Sequence, residues 1–229
     1  MQDRDDLSDS EGFPDPEIDA PGHDAIITLA VFAEGGLAPL SLLLGWLLGH
    51  PPLRLFSWDP RGALLGAAAA LPPVLGLIAL LRRPFGPFVR VKRFFVTEFV
   101  PLLGNSTWPD LVLIAVAAGV GEEMLFRGVF QWSLVDAIGT TPGVVLASLL
   151  FGVLHPISIP FAVINFTMGL YLGALYLFTG NLLAAMACNG TYNFILMAHL
   201  LRPGDPHRPH KNPIEAIDYD RAIDDHDAP

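Results

Sequence analysis

The chain has 229 residues, 52% of them hydrophobic and 16% charged, with a mean hydropathy of +0.48 and a formal charge of −10. A soluble domain carries about 25% charged residues, so this composition argues against a soluble enzyme and for a polytopic membrane protein. The acidity sits at the two ends, with nine acids against one Arg in residues 1–24 and seven acids against three bases in residues 203–229; the few remaining basic residues hug the ends of apolar runs, which excludes nucleic acid as a partner.

Residues 1–24 read as an acidic disordered tail, and without a basic n-region they do not form a signal peptide. Residues 25–202 read as an all-α transmembrane bundle with about six spans. The first spans about 25–49 and contains Glu34-Gly35-Gly36. The second spans about 62–81 and ends at Arg82-Arg83. Residues 84–107 mix Arg90, Lys92 and Arg93 with Phe94-Phe95-Val96, and their apolar parts are too short to span, so they read as an interfacial amphipathic helix. The third helix starts near Pro109, a residue suited to the first turn, and runs to about 137. The fourth runs from about 142 and stops at His155-Pro156, the fifth spans about 159–178, and the sixth spans about 181–201. Cys188, the sole cysteine, lies in the sixth and reads as buried filler. Residues 203–229 read as a second acidic, Pro-rich disordered tail.

With six spans, the termini and residues 82–107 share one face. That face holds ten of the thirteen Lys and Arg residues, and the opposite face holds only Arg54 and Arg61. The excess places both termini in the cytoplasm. The thirteenth base, Arg127, falls inside the membrane.

Arg127 belongs to the most informative stretch, Gly121-Glu122-Glu123-Met124-Leu125-Phe126-Arg127, set in an otherwise apolar helix. An ionisable group at the middle of a membrane helix costs about 2.5–3.5 kcal/mol on insertion scales. Glu123 and Arg127 are i,i+4 with the acid first, the favourable order for an ion pair. Glu122 lies about 100° round the helix and is left unpaired. Counting helical rise from the non-cytoplasmic face puts Glu122 about 21 Å deep, His155 about 20 Å, Asn189 about 14 Å and Asn193 about 20 Å. Asn189 and Asn193 share one helix face, as do Phe151 and His155. Taken singly, these residues also have plainer readings: a structural ion pair, a histidine capping a broken helix, asparagines as interhelical hydrogen-bond glue. Gly169-x-x-x-Gly173 reads as helix packing, and Glu34 as an acid lining a cavity or lying near the interface.

The succession Glu122-Glu123-x-x-x-Arg127, Phe151-x-x-x-His155, Asn189-x-x-x-Asn193 resembles the CAAX-protease and bacteriocin-processing family of intramembrane endopeptidases, also called the Abi family. That family carries Glu-Glu-x-x-x-Arg, Phe-x-x-x-His and His-x-x-x-Asn on successive transmembrane helices. The resemblance implies a glutamate-dependent intramembrane endopeptidase in a bacterial or archaeal cytoplasmic membrane. Its substrate would be a membrane-associated peptide or lipidated protein tail. Glu122 would activate water, His155 would orient it or pass a proton to the leaving amine, and Asn193 would donate to the oxyanion. Glu123 and Arg127 would form the structural pair. Asn189 stands where the family usually has His; it can donate a hydrogen bond but cannot carry a proton near neutral pH. Zinc enzymes hold their ion with three protein ligands such as His₂Glu, and only His155 and the carboxylates remain here, so neither a catalytic metal nor another cofactor is expected. The alternatives are a non-catalytic membrane scaffold, immunity or maturation factor that keeps the fold, and a transporter or channel with a mid-membrane acid; no internal repeat supports the latter.

Overall fold

A computed structural model describes residues 22–202. The acidic tails read at 1–24 and 203–229 lie outside the described residues, except that the first helix already begins at His23. Among the described residues every regular element is helical, and the chain folds as an all-α bundle. Three stretches, His23–Leu47, Pro60–Arg82 and Ile159–Thr179, are long and apolar enough to cross a bilayer.

The first two of these stretches are each built from two helices. In the first, α1 (His23–Gly35) and α2 (Leu37–Leu47) meet at Gly36. In the second, α3 (Pro60–Ala69) and α4 (Leu71–Arg82) meet at Ala70, where Pro72 and Pro73 withhold the amide hydrogens that a continuous helix would need. The basic segment follows as a short turn at Gly86–Phe88, then α5 (Val89–Phe94), a π-helical turn at Phe95–Phe99, and α6 (Val100–Leu103). Val91, Phe95 and Leu103 bury one stripe of it while Arg90, Arg93 and Val96 stay exposed. That is the one-sided pattern an interfacial helix presents.

The helix expected from about Pro109 to 137 is interrupted in a way the sequence did not foretell. It begins as α7 (Trp108–Leu125), passes through a π-helical turn at Phe126–Gln131, and ends as α8 (Trp132–Ile138). A capping box starts it: the Asp110 carboxylate accepts from the Thr107 backbone N–H at 2.8 Å, and the Thr107 side chain caps the third residue of the helix in return. His23 Nε2 lies 3.4 Å from the same carboxylate, which ties the start of α1 to the start of α7.

Helix α9 (Thr140–Val153) stops two residues before His155. Its 14 residues reach about 21 Å, less than a hydrocarbon core of about 30 Å. Helix α10 (Ile159–Thr179) starts on a Ser158 cap, whose side chain accepts from the Phe161 N–H at 3.3 Å. Helix α11 (Leu182–Leu201) starts on Asn181, which accepts from the Leu183 N–H at 3.0 Å and donates to the Ser57 carbonyl at 2.9 Å.

Within a bilayer, helices gain little from hiding apolar surface and associate instead by close packing of small residues. Helix α7 crosses α11 where Gly119 meets Gly190; a Cβ at Gly119 would come within 2.9 Å of the Gly190 Cα. Helix α3 meets α11 where a Cβ at Gly66 would overlap the Ala184 carbonyl. Around these crossings Val74, Leu77, Phe95, Phe126, Phe151, Leu172 and the buried Cys188 form the central core. Phe32, Trp46, Leu64, Leu75 and Phe178 point outward and are exposed, as suits a surface facing lipid.

Candidate active site

The last turn of α7 carries Glu122 and Glu123, and the π turn after it carries Arg127. Adjacent residues on a helix diverge by about 100°, so the two carboxylates enter different surroundings. Glu123 Oε1 accepts from Arg127 Nη1 at 2.8 Å, with both side chains at most 2% exposed. Arg127 Nη2 donates to the Gly169 carbonyl at 3.0 Å, and its guanidinium carbon lies 4.7 Å from the centre of the Phe151 ring. One turn on, buried Gln131 donates through Nε2 to the Gly173 carbonyl at 3.3 Å. The two glycines of Gly169-x-x-x-Gly173 are thus the backbone acceptors for Arg127 and Gln131. A Cβ at Gly173 would come within 2.6 Å of Gln131 Oε1.

Glu122 faces the other way. Its Oε2 accepts from Asn189 Nδ2 at 2.7 Å, and its Oε1 lies 3.5 Å from His155 Nε2. The Asn189 Nδ2 also donates to Glu123 Oε1 at 3.1 Å, so one amide group clamps both carboxylates. Carboxylate oxygens only accept, which fixes the amide with its nitrogen towards them. Its Oδ1 then accepts from Asn193 Nδ2, one turn further along α11, at 3.1 Å; the same Nδ2 also donates to the Asn189 carbonyl at 3.1 Å.

His155 owes its position to the early end of α9. The last carbonyls of a helix lack intrahelical partners, and the imidazole folds back so that Nδ1 donates to the Phe151 carbonyl at 2.6 Å. A carbonyl cannot donate, so Nδ1 carries the hydrogen and Nε2 is the atom left facing Glu122. The His155 side chain is 26% exposed and that of Glu122 is 9% exposed. This half of the cluster is open, whereas the Glu123–Arg127 half is sealed.

Glu122, Glu123, Arg127, His155, Asn189 and Asn193 therefore stand as one connected cluster. Two details differ from the expectation. Rise counting levelled Asn193 with Glu122, yet the residue in contact is Asn189 and Asn193 lies one turn further along. The count treats helices as straight and parallel, whereas α7 and α11 cross in contact at Gly119 and Gly190. Asn189 also spends its amide hydrogens on two carboxylates, which makes it a clamp in this state. Sequence reasoning missed Gln131, although Glu123, Arg127 and Gln131 recur at helical spacing. It also did not foresee that the Glu34 backbone carbonyl packs against Gly121, the residue before Glu122. Among the described residues no three His, Cys, Asp or Glu side chains are arranged to hold one metal ion.

Beside the cluster, an apolar groove of about 430 Å³ opens between α4 and α10, lined by Pro72, Leu77, Phe88, Ile164, Met168 and Tyr192, among others. Tyr192 lies on α11 between Asn189 and Asn193, so the groove ends against the helix that holds the clamp.

Residues 104–195 match a family model described as type II CAAX prenyl endopeptidase Rce1-like. No curated protein and no solved structure matches the chain. The family match covers all six residues of the cluster and agrees with the resemblance carried by the three motifs. The chain is an integral membrane protein that is similar to the Rce1-like family over that stretch.

Proposed function

We propose that the protein is an intramembrane, glutamate-dependent endopeptidase that cuts a membrane-associated peptide or lipidated protein tail. The observation that carries this reading is Glu122, held by the Asn189 amide on one oxygen and facing His155 Nε2 with the other, inside an apolar bundle. A carboxylate so placed can take a proton from a bound water as its oxygen adds to a peptide carbonyl. His155, its Nδ1 hydrogen held by Phe151, can take that proton from Glu122 on Nε2 and pass it to the leaving nitrogen as the C–N bond breaks, which restores both groups. Asn193 turns from Asn189 towards the oxyanion; losing an oxyanion donor typically costs about 2.7–4 kcal/mol of transition-state stabilisation. Glu123 and Arg127 hold the turn that aims Glu122. The groove between α4 and α10 takes the apolar part of the substrate, consistent with a family described as acting on prenylated CAAX proteins.

The deciding experiment is cleavage of membrane-anchored peptides, prenylated and not, by the purified protein and by Glu122→Gln. Cleavage that persists in Glu122→Gln overturns water activation by this residue. Asn189, which carries no proton, favours as the second reading a non-catalytic scaffold, immunity or maturation factor that binds such a peptide without cutting it. Binding without cleavage by wild type would establish that reading.

For orientation, the basic excess of the 82–93 segment supports cytoplasmic termini. Thiol labelling in a Cys188→Ala background checks it: Arg90→Cys should react from the cytoplasmic side and Arg61→Cys from the other. Labelling of both from one side would refute the orientation.

A further inference from the structure

We propose that Tyr192 is a substrate-binding residue whose hydroxyl donates to the peptide carbonyl next to the apolar part of the substrate, a role that rests on the endopeptidase reading. Three hydroxyl side chains line the groove between α4 and α10: Thr167, Tyr171 and Tyr192. Two of them are spent on the backbone. Thr167 donates to the Val163 carbonyl, one turn back on its own helix, at 2.9 Å. Tyr171 donates to the Ala69 carbonyl at 2.7 Å. In an unbroken helix that carbonyl would accept from residue 73, but Pro73 has no amide hydrogen, so Tyr171 repairs the break between α3 and α4. Tyr192 is only 9% exposed, and its hydroxyl has no hydrogen-bond partner among the described residues. It sits in the central core with Leu77, Met168 and Leu172. Burying a hydroxyl without a partner costs free energy, and folded proteins rarely leave one so.

The position of Tyr192 on α11 gives that donor a use. It follows Asn189 by three residues, so its side chain leaves the helix about 60° from that of Asn189. Asn189 faces the two carboxylates, and Tyr192 faces the groove. The hydroxyl therefore stands where the apolar groove gives way to the polar cluster. A hydrocarbon chain offers a phenol no acceptor. A substrate that joins an apolar part to a peptide offers one at that place, the first carbonyl beyond the apolar part. A hydrogen bond there sets the register of the following peptide bond against Glu122. It also discriminates against an occupant that is hydrocarbon throughout, which would leave the hydroxyl unpaired.

The test measures binding of a lipidated membrane peptide to full-length protein in detergent, in a Glu122→Gln background that keeps the peptide whole. Tyr192→Phe keeps the ring and should weaken binding about threefold to tenfold, the worth of one neutral hydrogen bond. Its melting temperature should not fall, because the lost hydroxyl had no partner. Tyr171→Phe should lower the melting temperature, because it strands the Ala69 carbonyl. With Glu122 intact, Tyr192→Phe should raise KM by the same factor and leave kcat within about twofold. Phosphatidylcholine in place of the peptide separates the two sources of a carbonyl, and Tyr192→Phe should not change its affinity. An equal loss for lipid and peptide would show that the hydroxyl meets a lipid ester, which overturns the proposal. Unchanged peptide affinity in Tyr192→Phe overturns it, as does a protein that binds no such peptide. A loss of affinity with a fall in melting temperature as large as that of Tyr171→Phe overturns it too, because Tyr192 would then be a packing residue. Should wild type bind the peptide without cutting it, the endopeptidase reading fails alone, and the affinities still decide the role of Tyr192.

Discussion

Glu122 and Glu123 are neighbours in sequence and opposites in structure. Glu123 is sealed: it pairs with Arg127, whose guanidinium reaches on to the Gly169 carbonyl, and Gln131 repeats the pattern at Gly173. Glu122 is partly open, sharing Asn189 with its neighbour and facing an imidazole that is itself partly exposed. The half that is closed and neutralised by contact is suited to holding a backbone in place. The half that keeps an accessible oxygen beside a proton carrier is suited to chemistry. One helix presents both because consecutive side chains leave it about 100° apart. A π turn begins at Phe126, directly after the Glu pair; such turns occur frequently at functional sites.

The comparison breaks most visibly at Glu122. Glu122→Gln should lower cleavage by about 10²–10⁴-fold, the usual worth of a general base, with the melting temperature in detergent unchanged. A large loss of stability would mean that Glu122 belongs to the scaffold and that the two halves do not differ in kind.

Arg127→Ala should do the converse. Removing one partner of a buried pair strands the other charge and typically costs about 3–5 kcal/mol, read here as a large fall in melting temperature. Glu123→Gln combined with Arg127→Met should recover part of it, since neither charge is then left alone. Equal melting temperatures for wild type and Arg127→Ala would remove the basis for calling this half structural.

Asn189 touches both carboxylates, so its loss should register on both sides at once. Hydrogen bonds to charged groups are worth about 1.5–3 kcal/mol each, and Asn189→Ala should reduce stability and turnover together. Asn189→His, which returns a proton-carrying side chain to α11, should raise turnover. A Asn189→Ala variant that changes only one of the two readouts would show that the clamp serves a single carboxylate.

The smallest expected effect is at Gly173. An added Cβ crowds the flexible end of Gln131 and the Val144 side chain, while Ala gains up to about 1 kcal/mol of helix propensity over Gly. Gly173→Ala should therefore shift the melting temperature only slightly and leave cleavage intact. A strong loss of cleavage would show that the contact between the π turn and α10 tunes the open half as well as the sealed one.

Much of this molecule was legible from the chain. The membrane class follows from composition, because too few charges remain to solvate a surface. Helix starts followed from local chemistry, as at Pro109 and at the Gly180-Asn181 break, where capping depends on nearest neighbours alone. The Glu123–Arg127 pair followed from i,i+4 spacing, and the singling out of Glu122 from the angle between adjacent residues. Tertiary structure decided the rest. That Asn189 rather than Asn193 meets the carboxylates depends on where α7 and α11 cross, and no count along either helix contains that. That α9 ends early enough for His155 to fold back onto Phe151 depends on a carbonyl two residues inside the helix end. The glycines of α10 became acceptors for Arg127 and Gln131 through the close approach of a second helix. Glu34, separated from Glu122 by the whole of α2, α3, α4 and the basic segment, packs its backbone carbonyl against Gly121 only because the α1–α2 break seats there. Periodicity and capping are properties of a single segment, whereas a site assembled across helices is set by their crossings.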